Sequence, residues 1–394
     1  MFEFVLLLLP VAAASGWFFA KASGKKSGDQ KSACAYDPDY YKGLNFLLNE
    51  QPDKAIDVFI HLLEVDSETV ETHLALGSLF RKRGEVDRAI RIHQNLIARP
   101  SLAPDQRANA LLELGQDYMH AGLFDRAENL FSELYETGKL QKQALENLRE
   151  IYQQEKVWEK CLQVANKLES YTHKSYSEEI AHYYCELAEL AAKNNDSKKV
   201  AELVKKAKAA SSSSVRAIMM EAALDVSSEN YKKALRLYGQ LLEQHPEFVS
   251  EVLPEVITCY RHGAGQQDLF EYLNGLYQQS HNALVLNKLV ELVQQSKGME
   301  QALDYLAHEL EKHPNLHGLK QMVSLKLSQS TMGDHDFLAL LRDNLNQILS
   351  HKSAYQCSRC GFKAKTLHWQ CPGCRSWGTI APVTNDNHTV QQTT

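Results

Sequence analysis

One position repeats along this chain at close to 34-residue spacing, and that period constrains the fold more than any other feature. The equivalent residues are Ala55, Ala89, Ala127, Cys161, Val200, Ala234, Leu269 and Ala302, with steps of 34, 38, 34, 39, 34, 35 and 33 residues. Ahead of the first three stand matched motifs: Gly43-x-x-Phe46, Leu76-Gly77-x-x-Phe80 and Leu114-Gly115-x-x-Tyr118. Behind Ala55 and Ala127 a second bulky residue follows four places later, Phe59 and Phe131. A period of this length means one helix pair per unit. No single pair can bury its apolar face alone, so successive pairs must stack.

The spacing resembles the tetratricopeptide repeat, and it predicts an all-α solenoid of about eight to nine repeats over residues 36–350. Gly43, Gly77 and Gly115 let the first helix of a pair approach the second, and the alanines do so from the other side. Pro246 and Pro314 fall where such repeats end a helix. Cys161 occupies an alanine slot and reads as a small core residue, as do Cys185 and Cys259 on apolar stretches. Ser211 to Ser214 read as a solvated loop. A last helix from about His335 to Leu349 is expected to cap the array with a polar face. Partners of such arrays bind the inner face, built mainly from first helices. By register the candidates are Leu47, Leu48, Arg81, Lys82, Met119 and His120.

Residues 351–381 form a different module. Cys357-x-x-Cys360 and Cys371-x-x-Cys374 are separated by ten residues. Each pair can wrap a turn that aims two thiolates at one point, and two turns facing each other give a tetrahedral four-thiolate site for one zinc or iron ion. Four cysteines leave no open position for water, so the site reads as structural. Gly361 and Gly373 suit unusual turn backbone. Tyr355, Phe362, Trp369 and Trp377 offer more apolar surface than so small a module can bury, so it is expected to dock near the last repeats. His368 is adjacent but superfluous to a complete shell. Residues 382–394 read as a disordered polar tail.

The N-terminus reads as a membrane anchor. Phe2 to Ala20 run for 19 residues with Glu3 as the one charge, close to the roughly 20 needed for a transmembrane helix. Lys21, Lys25, Lys26 and Lys31 follow the run, in a polar tether over 21–35. A cleaved signal peptide would carry its positive charge in front. The arrangement predicts a transmembrane helix over 1–20 with the bulk of the chain in the cytoplasm, and membrane lipid as one contact. Cys34 sits in the tether.

Several classes are disfavoured. A formal net charge of -6 and the lack of a long Lys/Arg block argue against nucleic acid as a ligand. The sequence shows no phosphate-binding GxxxxGK[ST] loop, no HExxH and no GxSxG, so the chain reads as a scaffold rather than an enzyme.

Anchor, array and knuckle in this order resemble the lipopolysaccharide assembly protein B family. The likeness is carried by the apolar opening, by Tyr36-Asp37-Pro38-Asp39-Tyr40-Tyr41 leading into Gly43-Leu44-Asn45, and by the closing Cys-x-x-Cys-Gly-Phe with Trp-x-Cys-Pro-x-Cys. The resemblance implies a single-pass protein of the bacterial inner membrane, facing the cytoplasm. It implies an adaptor that promotes proteolysis of the lipid A deacetylase by an FtsH-type membrane protease and gathers other lipopolysaccharide-synthesis or transport proteins. It also implies a rubredoxin-like or zinc-ribbon-like knuckle at Cys357, Cys360, Cys371 and Cys374, holding iron. True rubredoxins have a longer insert between knuckles and a glycine where Arg375 stands, so zinc stays open. A metal- or redox-sensing scaffold with other partners is the alternative.

Overall fold

The computed structural model describes residues 38–49, 51, 54–56, 58, 70–100, 102–263, 266–329, 335–350 and 353–383. The described residues fold as a helical, tetratricopeptide-like solenoid followed by a small four-cysteine module. The chain divides into two compact units, residues 1–144 and 145–394.

In the first unit, α1 (Pro38–Leu48) precedes two complete helix pairs, α2 (Val70–Lys82) with α3 (Val86–Ile97) and α4 (Pro104–His120) with α5 (Phe124–Glu136). Helix α6 (Gln141–Gln154) carries the unit boundary. The second unit continues with α7 (Trp158–Thr172), α8 (Ser177–Lys193), α9 (Ser197–Ala210), α10 (Val215–Ser227) and α11 (Tyr231–Gln244). A 3-10 turn (Pro246–Phe248) leads into α12 (Val249–Gly263), α13 (Gln266–Ser280), α14 (Ala283–Lys297), α15 (Met299–Lys312), α16 (Leu316–Leu327) and α17 (His335–Ser350).

The repeat register appears in the packing. Ala89, Ala127, Cys161, Val200, Ala234, Leu269 and Ala302 are all buried, and each is the fourth residue of its helix. A Cβ placed on Gly115 would lie 2.5 Å from Phe131 Cε1, so no larger residue fits between α4 and α5. At Gly77 the obstacle is His93 Nε2, at 2.3 Å. His93 thus takes the second bulky position of its repeat.

The turns within pairs share one geometry. Five residues before the alanine position lies a left-handed residue: Gly84, Gly122, Lys156, Asn195 and Glu229. In the first case the Gly84 N–H donates to Arg81 O and the Glu85 N–H to Phe80 O. The same two bonds recur after Tyr118, Tyr152, Ala191 and Asp225. These Schellman motifs satisfy the last carbonyls of the first helix and aim the chain back along it.

Two expectations change. The exposed side of the final helix α17 is mixed rather than polar, with Asp336, Asp343, Asn344 and Gln347 interleaved with apolar residues. Phe337, Leu340 and Ile348 on it are 68%, 63% and 51% exposed, and only Leu345 is buried. Its apolar stripe is wider than one neighbouring helix covers. Ser214, read as part of a solvated loop, is buried, and its Oγ caps α10 by accepting from the Ala217 N–H at 3.4 Å.

The expected single-pass placement in a bacterial inner membrane, with a transmembrane helix, is also corrected. Among the described residues no helix is long and apolar enough to cross a membrane. The longest, α4 and α8, have 17 residues and alternate apolar with charged faces, short of the roughly 20 apolar residues a span requires. The anchor read over 1–20, the tether over 21–35, Cys34 and the tail beyond 383 lie outside the described residues.

Candidate metal centre

The module is a three-stranded antiparallel sheet of order β2-β1-β3, formed by β1 (Tyr355–Cys357), β2 (Lys363–Ala364) and β3 (Ile380–Pro382). The sheet extends through Pro382, and the Val383 N–H donates to Ala354 O.

The two knuckles repeat one hydrogen-bond pattern. The Cys357 N–H donates to Phe362 O and the Gly361 N–H to Cys357 O; the Cys371 N–H donates to Ser376 O and the Arg375 N–H to Cys371 O. Gly361 and Arg375 occupy equivalent places, both left-handed with φ of 74° and 56°. Gly373 has no such backbone. A Cβ there would sit in ordinary van der Waals contact with Cys360 Sγ at 3.4 Å and Phe362 at 3.6 Å, so the expected need for glycine at 373 is not borne by its backbone.

The four sulfurs converge, all within 4.8 Å of one another. Cys357 Sγ lies 3.8 Å from Cys374 Sγ, and Cys360 Sγ lies 3.6 Å from Cys371 Sγ. A regular tetrahedron with Zn–S bonds of about 2.3 Å has edges of about 3.8 Å, so the spacing fits a tetrathiolate ion. Hydroxyls support the thiolate form. Thr379 Oγ1, 3.3 Å from Cys357 Sγ, holds that thiol down at about 6. Ser376 Oγ, 3.4 Å from Cys374 Sγ, lowers Cys374 in the same way. Cys357 and Cys371 are buried, whereas Cys360 is exposed. His368 pairs with Thr366 at 3.3 Å and is not among the converging groups.

The module docks on the array, and not near its last repeats as expected. Its ring and polar contacts fall on α6, α7, α8, α10, the 3-10 turn and α12. Trp377 stands edge-on to Trp158 and Tyr183, at 5.9 and 5.8 Å, and stacks on His182 at 5.1 Å. Trp369 stacks on Phe248, with the Arg216 guanidinium 5.6 Å from its ring. Tyr355 Oη donates to Glu251 at 2.6 Å, and Arg375 pairs with Glu150. A Cβ on Gly378 would lie 2.4 Å from Glu178 Oε1, so the module backbone lies directly against α8. The aromatics select the middle repeats because α7 and α8 offer Trp158, His182 and Tyr183 as ring partners.

The candidate partner residues are placed unevenly. Leu48, Lys82 and His120 are exposed, and Met119 is half-buried; the Leu47 side chain is outside the described residues. Arg81 is engaged instead. Its guanidinium bonds Glu113 Oε2 and Asp117 Oδ1, each at 2.7 Å, and its side chain is 9% exposed. Asp117 also holds His93 Nδ1 at 2.5 Å in full burial. Neither His93 nor this network was read from the sequence, where a histidine in a bulky slot was the available signal.

The comparisons with known proteins decide the family. Lipopolysaccharide assembly protein B of Escherichia coli is 38% identical over 384 residues, 97% of this chain and 98% of that one. Its counterpart in Haemophilus influenzae is 35% identical over 98% of this chain and 100% of that one. The chain belongs to the lipopolysaccharide assembly protein B family. A family model described as a rubredoxin metal binding domain matches residues 355–382, and a tetratricopeptide repeat model matches 72–107. Among solved structures, MamA covers 45% of this chain and 96% of its own at 18% identity with a TM-score of 0.34. A tetratricopeptide repeat protein from Parabacteroides merdae covers 73% and 99% at 14% identity with a TM-score of 0.32. For this family member the assignment therefore rests on the sequence relatives and on the module's geometry.

Proposed function

We propose that the protein is an adaptor in the control of lipopolysaccharide synthesis, which brings the lipid A deacetylase to an FtsH-type membrane protease. The observation that carries this reading is a repeat array with a thiolate module docked on it, in a chain matching lipopolysaccharide assembly protein B of E. coli over nearly its full length. Such an array has stacked helices to offer partners and needs no chemistry of its own. Holding substrate beside protease raises their effective concentration, which accelerates degradation without turnover by the adaptor. Leu48, Lys82, Met119 and His120, with Leu47, are the proposed contact residues, and Arg81 acts behind them as a buttress. Other lipopolysaccharide-synthesis or transport proteins would use the same array. The metal, zinc or iron, cross-links the two knuckles and so fixes the faces that dock on α7 and α8.

The test is affinity capture of the protein and of a Cys371→Ser, Cys374→Ser variant, with immunoblots for the deacetylase and the protease. Recovery of both partners with the native protein and their loss with the variant is expected. Recovery of neither with the native protein would remove the reading. A second reading, a metal- or redox-sensing scaffold, is favoured by the exposure of Cys360 beside buried Cys357 and Cys371 and half-buried Cys374. It requires that peroxide release the metal reversibly and that partner capture follow the metal content; a peroxide-inert site would eliminate it.

A further inference from the structure

Residues 376–379 strap the two knuckles together. At one end Ser376 O accepts the Cys371 N–H at 2.9 Å, and Ser376 Oγ lies 3.4 Å from Cys374 Sγ. At the other end Thr379 O accepts the Ser358 N–H at 2.8 Å, and Thr379 Oγ1 lies 3.3 Å from Cys357 Sγ. Each end thus serves a different knuckle, with one carbonyl and one hydroxyl. The middle of the strap meets the array instead. Trp377 is buried against Trp158, His182 and Tyr183, and Gly378 lies against Glu178. Four residues therefore hold both halves of the sulfur cluster and α7 and α8 at once.

The two hydroxyl protons are placed to reach sulfur. Arg359 Nη1 donates to Ser376 Oγ at 2.6 Å, so the proton of Ser376 itself is the one left for Cys374. The competing acceptors are neutral carbonyls, Cys374 O at 3.5 Å from Ser376 Oγ and Ser376 O at 3.4 Å from Thr379 Oγ1. A hydrogen bond to a thiolate is charge-assisted and wins over a bond of that length to a carbonyl. Groups that orient ligands from outside the shell commonly change metal affinity by about 10–100-fold. Ligands already held in place also lose less conformational freedom when they bind.

We infer that Ser376 and Thr379 are positioning residues of the metal shell, and that the array holds them in place through Trp377 and Gly378, so that docking tightens the grip of the four cysteines on their ion. Docked, the strap is fixed at its middle and its ends keep the two knuckles facing each other. Undocked, the middle loses its seat, and the hydroxyls are no longer held to one orientation on the sulfurs. The coupling is reciprocal: the factor by which docking strengthens metal binding is the factor by which the metal strengthens docking. The inference rests on reading Cys357, Cys360, Cys371 and Cys374 as a metal site, and it does not depend on the adaptor reading.

The experiment measures the zinc affinity of the purified full chain by competition with a chromophoric chelator. Thr379→Val and Ser376→Ala are each expected to weaken zinc binding by about tenfold or more, while Thr379→Ser, which keeps the hydroxyl, stays within about threefold of the native protein. With Co2+ as the probe, the sulfur-to-cobalt charge-transfer band is expected at lower energy in Thr379→Val and at its native position in Thr379→Ser, a shift that a merely structural role would not produce. His182→Ala, which touches no sulfur, is expected to weaken zinc binding by about fivefold or more. Thr379→Val added to it should cost less affinity than Thr379→Val alone, because the two act through one strap. Circular dichroism confirms the helices of each variant, and Trp377→Ala decides if His182→Ala does not fold. Native zinc affinity in either hydroxyl variant, native affinity in the undocked variant, or losses that simply add in the double variant overturns the inference and leaves the metal reading standing. A native chain that takes up no zinc and no cobalt removes both.

Discussion

Trp377 meets Trp158 edge to face with ring centroids 5.9 Å apart, which ties the last turn of the metal module to the first residue of α7. The contact is buried and is shared with Tyr183 and His182. Replacing Trp377 by Ala is therefore expected to undock the module rather than unfold the array. A buried Trp→Ala change costs about 3–5 kcal/mol, and here the loss falls on one interface. Hydrogen exchange should show faster exchange in the module and at α7 and α8, with the rest unchanged. Chelation of the metal should give the same pattern, because the knuckles that present Trp369 and Trp377 lose their cross-link. Uniform exchange over the whole chain in either case would contradict a local dock.

Arg81 gives a prediction of the opposite kind. Although it sits at a position that sequence register assigns to the partner surface, its charge is spent on Glu113 and Asp117. Arg81→Met is expected to leave buried Asp117 with His93 as its one remaining partner and Glu113 without its cation, at a cost of up to about 3–5 kcal/mol. Thermal unfolding reads this directly. Lys82→Ala, on the exposed neighbour, should leave the melting temperature within a degree or so, as surface changes generally do.

The pH dependence follows from His182. Burial between the tryptophans, helped by Arg216, lowers its pKa to about 3 from an ordinary 6.5. The folded state thus keeps His182 neutral while the undocked or unfolded state takes up a proton below 6.5. The stability it contributes is complete above pH 6.5 and is lost as pH falls toward 3, at up to about 1.4 kcal/mol per pH unit. Urea titrations at pH 7 and pH 5 should show the native protein weakening more than His182→Gln. A parallel pair of slopes would show that His182 is not the titrating group.

The shared turns yield a stabilising prediction. Lys156 and Glu229 hold φ of 58° where the first two repeats use Gly84 and Gly122. A side chain in this region costs about 1–2 kcal/mol that glycine escapes in part. Lys156→Gly and Glu229→Gly are each expected to raise the unfolding free energy by up to about 1 kcal/mol, measured by urea denaturation. The same change at an ordinary helical site, such as Ala201→Gly, should lower it.

What the sequence disclosed and what it hid follow from the range of each interaction. The alanine register was legible because close helix approach is a local steric demand, repeated at every unit. It placed even Cys161, Val200 and Leu269 correctly inside, though none is alanine. The sulfur cluster was legible because two short spacings suffice to aim four thiolates. Arg81 was a candidate for the partner surface by register, and its ion pairs with Glu113 and Asp117 were hidden because helical register reports direction and not the partner charge waiting on the next helix. Gly373 was credited with a left-handed turn that belongs to Arg375, since a glycine in the sequence does not say which residue of the turn takes positive φ. The docking place of the module was hidden entirely. It depends on rings at 158, 182 and 183 meeting rings at 369 and 377, a pairing that no local pattern carries.

The module's span across the array has a thermodynamic consequence. In a repeat protein each unit touches only its neighbours, so units can melt one by one from an end. A single body that grips Glu150, Trp158, His182, Arg216, Phe248 and Glu251 at once joins non-adjacent units into one cooperative block. Fraying that starts at α17 must stop at this block or disrupt all of it together. An ion held by Cys357, Cys360, Cys371 and Cys374 would act as a bolt through several storeys: removing it would convert an all-or-none element into a row of independently yielding hinges.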